Sequence, residues 1–165
     1  MPKLKLALLC QAAIVDQWKN LPSYINLLDD ITVSELPAAL IPPVTVASIW
    51  ERVGDGQETL HVRLRLVKPS GKGVVVHEIE PVAMEKPKHR LNLIVGTALP
   101  ETGCYHFRLD LRVKGRWRNV ADLPLNVKLS ELPETESPEP AVPQRQKPPK
   151  RADQRRAKRR KGEGG

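Results

Sequence analysis

Aromatic residues are scarce in this chain: three Trp, two Tyr and one Phe among 165 residues. A core drawn from that stock must consist mainly of Leu, Val and Ile. Two cysteines, Cys10 and Cys104, are too few for a disulfide framework, and free thiols in a reducing compartment are expected. No apolar run approaches the ~18 residues of a membrane-spanning helix. Lys3 and Lys5 precede Leu6-Ala7-Leu8-Leu9-Cys10, but this run is shorter than the roughly 7–15 residues of a signal-peptide core, and a bulky Leu9 stands before the cysteine. A first β-strand and a cytoplasmic location are the expectation.

Catalytic and metal-binding patterns are also missing. Ser48 lies outside any Gly-x-Ser-x-Gly elbow. Gly71-Lys72-Gly73 is too short to cradle a phosphate and reads as a hairpin turn. Asp29 and Asp30 are neighbours, and on a strand they diverge. On one strand, His106 and Asp110 lie about 13 Å apart, too far for a direct hydrogen bond, and Cys104 lies about 7 Å from His106. Structural zinc needs further Cys or His ligands, and no second cluster exists. The expectation is a protein that is not an enzyme and holds no metal or cofactor.

What the chain has in quantity is strand pattern. From Cys104 to Lys114, Tyr105, Phe107, Leu109, Leu111 and Val113 alternate with His106, Arg108, Asp110 and Arg112, the period of a strand with one wet face. Leu60, Val62, Leu64 and Leu66 alternate with His61, Arg63 and Arg65. Gly54-Asp55-Gly56 predicts a hairpin between 44–53 and 58–68, Ser70–Gly73 a second, and Gly115 a third into Trp117–Leu129. Pro124 lacks an N–H, so that last strand is expected to be an edge, at least locally. Leu6, Leu8 and Cys10 share one parity and are expected to face the core. About seven or eight short strands with regular turn signals predict an all-β fold, an antiparallel β-sandwich, Ig-like in the loose sense.

Two groups of segments then take on meaning together: Leu8-Leu9-Cys10 with Leu27-Leu28-Asp29-Asp30-Ile31 and Glu35-Leu36-Pro37, and Leu99-Pro100-Glu101-Thr102-Gly103-Cys104-Tyr105-His106-Phe107-Arg108-Leu109 with Leu123-Pro124-Leu125-Asn126-Val127. Over roughly residues 4–130 the ensemble resembles an uncharacterised bacterial family of small β-sandwich proteins, a domain of unknown function. The resemblance implies a sandwich and a bacterial or phage setting, and it implies no activity.

Near Pro133 the strand pattern stops. Residues 1–132 read as the sandwich domain, and 133–165 as a Pro-rich tail, acidic then basic, expected to be disordered because it has too little apolar surface to offset its ordering entropy. The sandwich carries 17 Lys and Arg against 14 Asp and Glu. Between 144 and 161 stand ten Lys and Arg against the single Asp153. Lys147, Lys150, Arg151, Arg155, Arg156, Lys158, Arg159, Arg160 and Lys161 are the candidate contacts to nucleic acid or another polyanion. The tail has no aromatic residue on which bases would stack, so such binding is expected to ignore base sequence. Arg63, Arg65, Arg108 and Arg112 are candidates for a basic sheet face, with Asp110 placed to neutralise part of it. The function class that fits is a non-catalytic binding or adaptor module of bacterial or phage origin, with a protein partner or self-association through the sandwich. The alternative is a structural accessory protein of a phage or prophage particle.

Overall fold

A computed structural model describes residues 1–16, 18–19 and 21–130. The chain divides into two compact units, Met1–Leu132 and Pro133–Gly165, and the described residues belong to the first. The basic residues from Arg145 to Lys161 lie outside the described residues.

The first unit is all-β. Its strands are β1 (Lys3–Val15), β2 (Pro22–Leu27), β3 (Asp30–Val33), β4 (Ala38–Ala39), β5 (Val44–Glu51), β6 (Thr59–Leu60), β7 (Val62–Val67), β8 (Gly73–Glu78), β9 (Val82–Ala83), β10 (Lys88–Val95), β11 (Ala98–Leu99), β12 (Gly103–Val113) and β13 (Arg116–Leu129). Two sheets dominate. One is four-stranded in the order β10-β5-β1-β2, and the other five-stranded in the order β3-β13-β12-β7-β8. Pairing is antiparallel throughout except between β3 and β13. The result is a loosely formed antiparallel sandwich, as the alternating pattern predicts.

The core between the sheets is aliphatic around three large rings, Trp50, Tyr105 and Phe107, each fully buried. Leu64, Leu66, Leu109 and Leu111 pack with them from the five-stranded sheet, and Val44, Val46 and Leu93 from the four-stranded one. Burying each such side chain contributes roughly 1.5–3 kcal/mol. Polar atoms on the buried rings are satisfied locally. Trp50 Nε1 donates to Ser48 Oγ at 2.9 Å, and Tyr105 Oη donates to the Glu101 carbonyl at 2.8 Å.

Two of the expected hairpins form. β7 and β8 join through Ser70–Lys72, with Gly71 at φ +82°, and β12 and β13 join through Lys114 and Gly115 at φ +49° and +78°. Two consecutive positive φ values are those of a type I′ turn, whose twist matches the strands it connects. The hairpin expected between 44–53 and 58–68 does not form. β5 pairs with β1 and β10, while β7 pairs with β8 and β12, so Gly54–Gly56 carries the chain from one sheet to the other. A turn signal specifies reversal and leaves the partner open. The sign of a central strand was in β5 itself: Thr45 and Ala47 are buried on one face as Val44 and Val46 are on the other. At Pro124 the last strand is a local edge, because β3 covers only Asn126–Leu129.

The phase of β1 also differs from expectation. A bulge between Leu4 and Leu6 turns Leu4, Ala7 and Leu9 toward the core, opposite Trp50, Ser48 and Val46. One extra residue moves every later side chain to the other face. Leu6, Leu8 and Cys10 therefore lie on the outer face. There Ile94, Thr45, Cys10 and Leu27 form one cross-strand row in which Cys10 and Thr45 are buried and the two flanking residues are exposed.

Candidate functional site

β12 is the middle strand of the five-stranded sheet, so its outward residues meet partners on both sides. The register places Arg63 of β7 and Asn119 of β13 opposite Asp110, and Arg65 and Asp122 opposite Arg108. Directly paired residues share a face. Arg63, Arg65 and Arg108 therefore do cluster on one surface, with Arg112 next along β12.

At the centre of that surface is Asp110, only 1% exposed. Arg63 Nε donates to its Oδ2 at 2.8 Å, Arg65 Nε donates to the same oxygen at 2.6 Å, and Arg65 Nη2 donates to Oδ1 at 3.2 Å. Asn119 Nδ2 donates to Oδ1 at 3.4 Å. Burial pushes the carboxyl up, but the bonds from Arg65 and Arg63 outweigh it and hold the group below its ordinary value. The same bonds hold Arg65 above its own. Trp117 extends the cluster. The Arg63 guanidinium lies 4.5 Å from its ring centre and that of Arg112 5.7 Å, within cation–π range, while His61 meets the ring edge-on at 4.8 Å. The four arginines thus sit among two carboxylates and an indole, and this face carries much less free charge than their number implies.

Toward the start of β12 is a second carboxylate, Asp122, 38% exposed at its side chain. Arg108 Nε donates to its Oδ2 at 3.0 Å, and His106 Nδ1 contacts its Oδ1 at 2.7 Å. On the far side of the ring, His106 Nε2 lies 3.6 Å from Cys104 Sγ. Cys104 follows Gly103, whose φ of +118° strains any other residue and whose close approach to Pro69 would crowd a side chain; a Cβ added there would lie 3.0 Å from the Pro69 Cβ. His106 and Asp110 do not meet, as their spacing requires. Sequence reasoning did not find Asp122, whose place opposite Arg108 is set by a bulge between Leu109 and Asp110. No group of three or more His, Cys, Asp or Glu side chains fit to hold a metal ion occurs among the described residues.

The tryptophans do not form a platform. Trp50 is in the core, Trp117 is half-buried among arginines, and Trp18 is 96% exposed, its backbone N–H donating to Asp16 Oδ1 at 2.8 Å. A cleft of about 530 Å³ lies beside β9 and the start of β10, lined by Glu85, Lys86, Lys88, His89 and Arg90 among others. This cationic cluster also escaped the sequence reading. Its signal was the dense run Glu85-Lys86-Pro87-Lys88-His89-Arg90. No helix in the described part is long and apolar enough to cross a membrane.

No family model matches the chain, and no curated protein matches it. Among solved structures, it is similar to the Pseudomonas fluorescens alkylpurine DNA glycosylase AlkC bound to DNA containing an abasic site analog. The identity is 10% and the TM-score 0.41, over 74% of this chain and 30% of the glycosylase chain. The chain thus spans less than a third of that protein, and a likeness at this level assigns neither family nor activity.

Proposed function

We propose that this protein is a non-catalytic module that binds nucleic acid through phosphates, using its C-terminal basic segment and largely ignoring base sequence. The observation that carries this reading is the concentration of charge: ten Lys and Arg against Asp153 between 144 and 161. The folded unit supports it by contrast. Arg63, Arg65 and Arg108 are matched by Asp110 and Asp122, so the excess positive charge belongs mainly to the segment. Lys86 and Lys88, which line the cleft beside β10 together with Glu85, add cations on the folded unit. Lys and Arg that meet phosphates release condensed counterions, which makes affinity fall steeply with salt.

The test is a titration of duplex DNA by fluorescence anisotropy at several salt concentrations. It compares the full chain with a full-length variant carrying Gln at Lys147, Lys150, Arg151, Arg155, Arg156, Lys158, Arg159, Arg160 and Lys161. About six phosphate contacts predict a slope of log K against log[salt] of roughly −5 for the natural chain, with little dependence on DNA sequence. The Gln variant is expected to lose that slope. Absence of binding near physiological salt, or equal binding by the variant, rejects the reading.

A further inference from the structure

The arrangement of Cys104, His106 and Asp122 has no part in phosphate binding. We propose that Cys104 is a nucleophilic thiol that exchanges with small disulfides, with His106 as its base and Asp122 as the residue that positions the base.

The geometry is that of an activated nucleophile: a thiol within reach of an imidazole whose other nitrogen is held by a third group. Cys104 Sγ lies 3.6 Å from His106 Nε2, and His106 Nδ1 lies 2.7 Å from Asp122 Oδ1. An ionised Asp122 accepts from Nδ1–H, which fixes the tautomer and leaves the Nε2 lone pair toward the sulfur. Arg108 Nε, 3.0 Å from Oδ2, holds the carboxylate from its other side. A competing acceptor for the thiol, the Tyr105 carbonyl, lies farther off at 3.8 Å. Among the described residues the surroundings add little other charge. β7 places Val67 opposite His106 and Arg65 opposite Arg108, and Arg65 is engaged by Asp110. β13 places Asn126 opposite Cys104 and Pro124 opposite His106. β3 places Asp30 opposite Asn126, where Lys128 Nζ pairs with it at 3.3 Å.

The site is open. Cys104 is exposed, and His106 is 35% exposed at its side chain. Acyl transfer needs donors aimed at a developing oxyanion, whereas thiol–disulfide exchange needs only a thiolate and access to a sulfur. In the exchange, the Sγ–H proton passes to His106 Nε2 and the sulfur lone pair attacks one sulfur of the disulfide. The Cys104 S–S bond forms as the original S–S bond breaks, and the departing thiolate takes the proton back from the imidazolium. The disulfide is its own oxidant: one of its sulfurs leaves as a thiol and the other stays on Cys104. Cys10 is the internal contrast. It is fully buried, its Sγ lies 3.6 Å from the Thr45 carbonyl, and burial pushes its thiol up.

The experiment follows thiopyridone release from the neutral disulfide dithiodipyridine by the full-length protein at neutral pH, native and unfolded in urea. The expected result is one fast equivalent per native chain, reacting about tenfold or more faster than the same thiol in the unfolded chain. Cys104→Ser removes the fast phase. His106→Asn and Asp122→Asn bring it down toward the unfolded rate with thermal melting little changed, and Asp122→Glu restores it. A native rate no greater than the unfolded rate overturns the proposal, as does a fast phase that survives His106→Asn. DNA binding by the basic segment is unaffected in either case, so the two readings fail independently.

Discussion

Two carboxylates on the outer face of the same β12–β13 pair have the same kinds of partner and opposite circumstances. Asp110 is 1% exposed and accepts from Arg63, Arg65 and Asn119. Asp122 is 38% exposed and is met by Arg108 and His106. Burial separates their roles. A buried carboxylate must keep its donors, because losing them leaves an uncompensated charge that water cannot reach. An exposed one falls back on water, so its partners contribute little stability and are free to serve chemistry. The centre of the face is a structural clasp joining three strands, and its end is a reactive edge.

The largest effect expected from this contrast is at the centre. Asp110→Ala leaves two guanidiniums facing each other, with Arg63 and Arg65 only 22% and 30% exposed at their side chains. The loss of stability should be about 2–3 kcal/mol, at the lower end for a broken buried pair because both cations retain some access to water. Urea unfolding at neutral pH measures it. The pH dependence supplies a second reading. The folded value of Asp110 lies below its ordinary 3.8. The stability it contributes is therefore fully present above that ordinary value and is lost as pH falls through the folded one. The gap between natural protein and variant should stay constant from neutral pH down to about 4 and close below it. A loss under 1 kcal/mol, or a gap unchanged below pH 3, breaks the distinction between the two carboxylates.

That distinction was half legible in the sequence. The alternation from Cys104 to Lys114 places Arg108, Asp110 and Arg112 outward and Tyr105, Phe107 and Leu109 inward, and the structure keeps that assignment. The Lys114–Gly115 turn is legible as well. Counting back from it, however, sets Ala121 opposite Arg108 and Asp122 on the core side, in conflict with the alternation of Leu123, Leu125, Val127 and Leu129, which turns Asp122 outward. The bulge between Leu109 and Asp110 shifts the count by one and brings Asp122 out beside Arg108 and His106. Bulges carry no dependable residue signature, so the groups they align stay hidden while strands and turns are readable. The bulge in β1 hid the outward placement of Leu6, Leu8 and Cys10 in the same way. The Gly54–Gly56 crossing was missed for another reason: partner choice is set by long-range packing of both faces of β5, which local turn chemistry does not encode.

A smaller effect is expected when the end of the face is altered. Asp122→Ala removes the ion pair with Arg108 and the hydrogen bond from His106, yet His106 and Arg108 are 35% and 36% exposed at their side chains and rehydrate readily. The expected loss is about 0.5–1 kcal/mol in urea unfolding, shrinking as salt screens the pair. Thiol exchange at Cys104 should fall in the same variant by a factor far out of proportion to that loss. A cost comparable to that of Asp110→Ala would make Asp122 a second clasp.

Arg108→Ala should have the smallest effect, and it separates the two jobs of Asp122. The pair it breaks is exposed on both sides, so the stability change should be a few tenths of a kcal/mol. Removing the guanidinium leaves the His106 Nδ1 contact to the other carboxylate oxygen, Oδ1, in place. If that contact alone sets the tautomer, Cys104 exchange in Arg108→Ala should stay within about twofold of the natural protein while it collapses in Asp122→Asn. If both variants lose it equally, the guanidinium is what aims the carboxylate, and the working unit at this end of the sheet is a chain of four side chains, Cys104, His106, Asp122 and Arg108, across two strands.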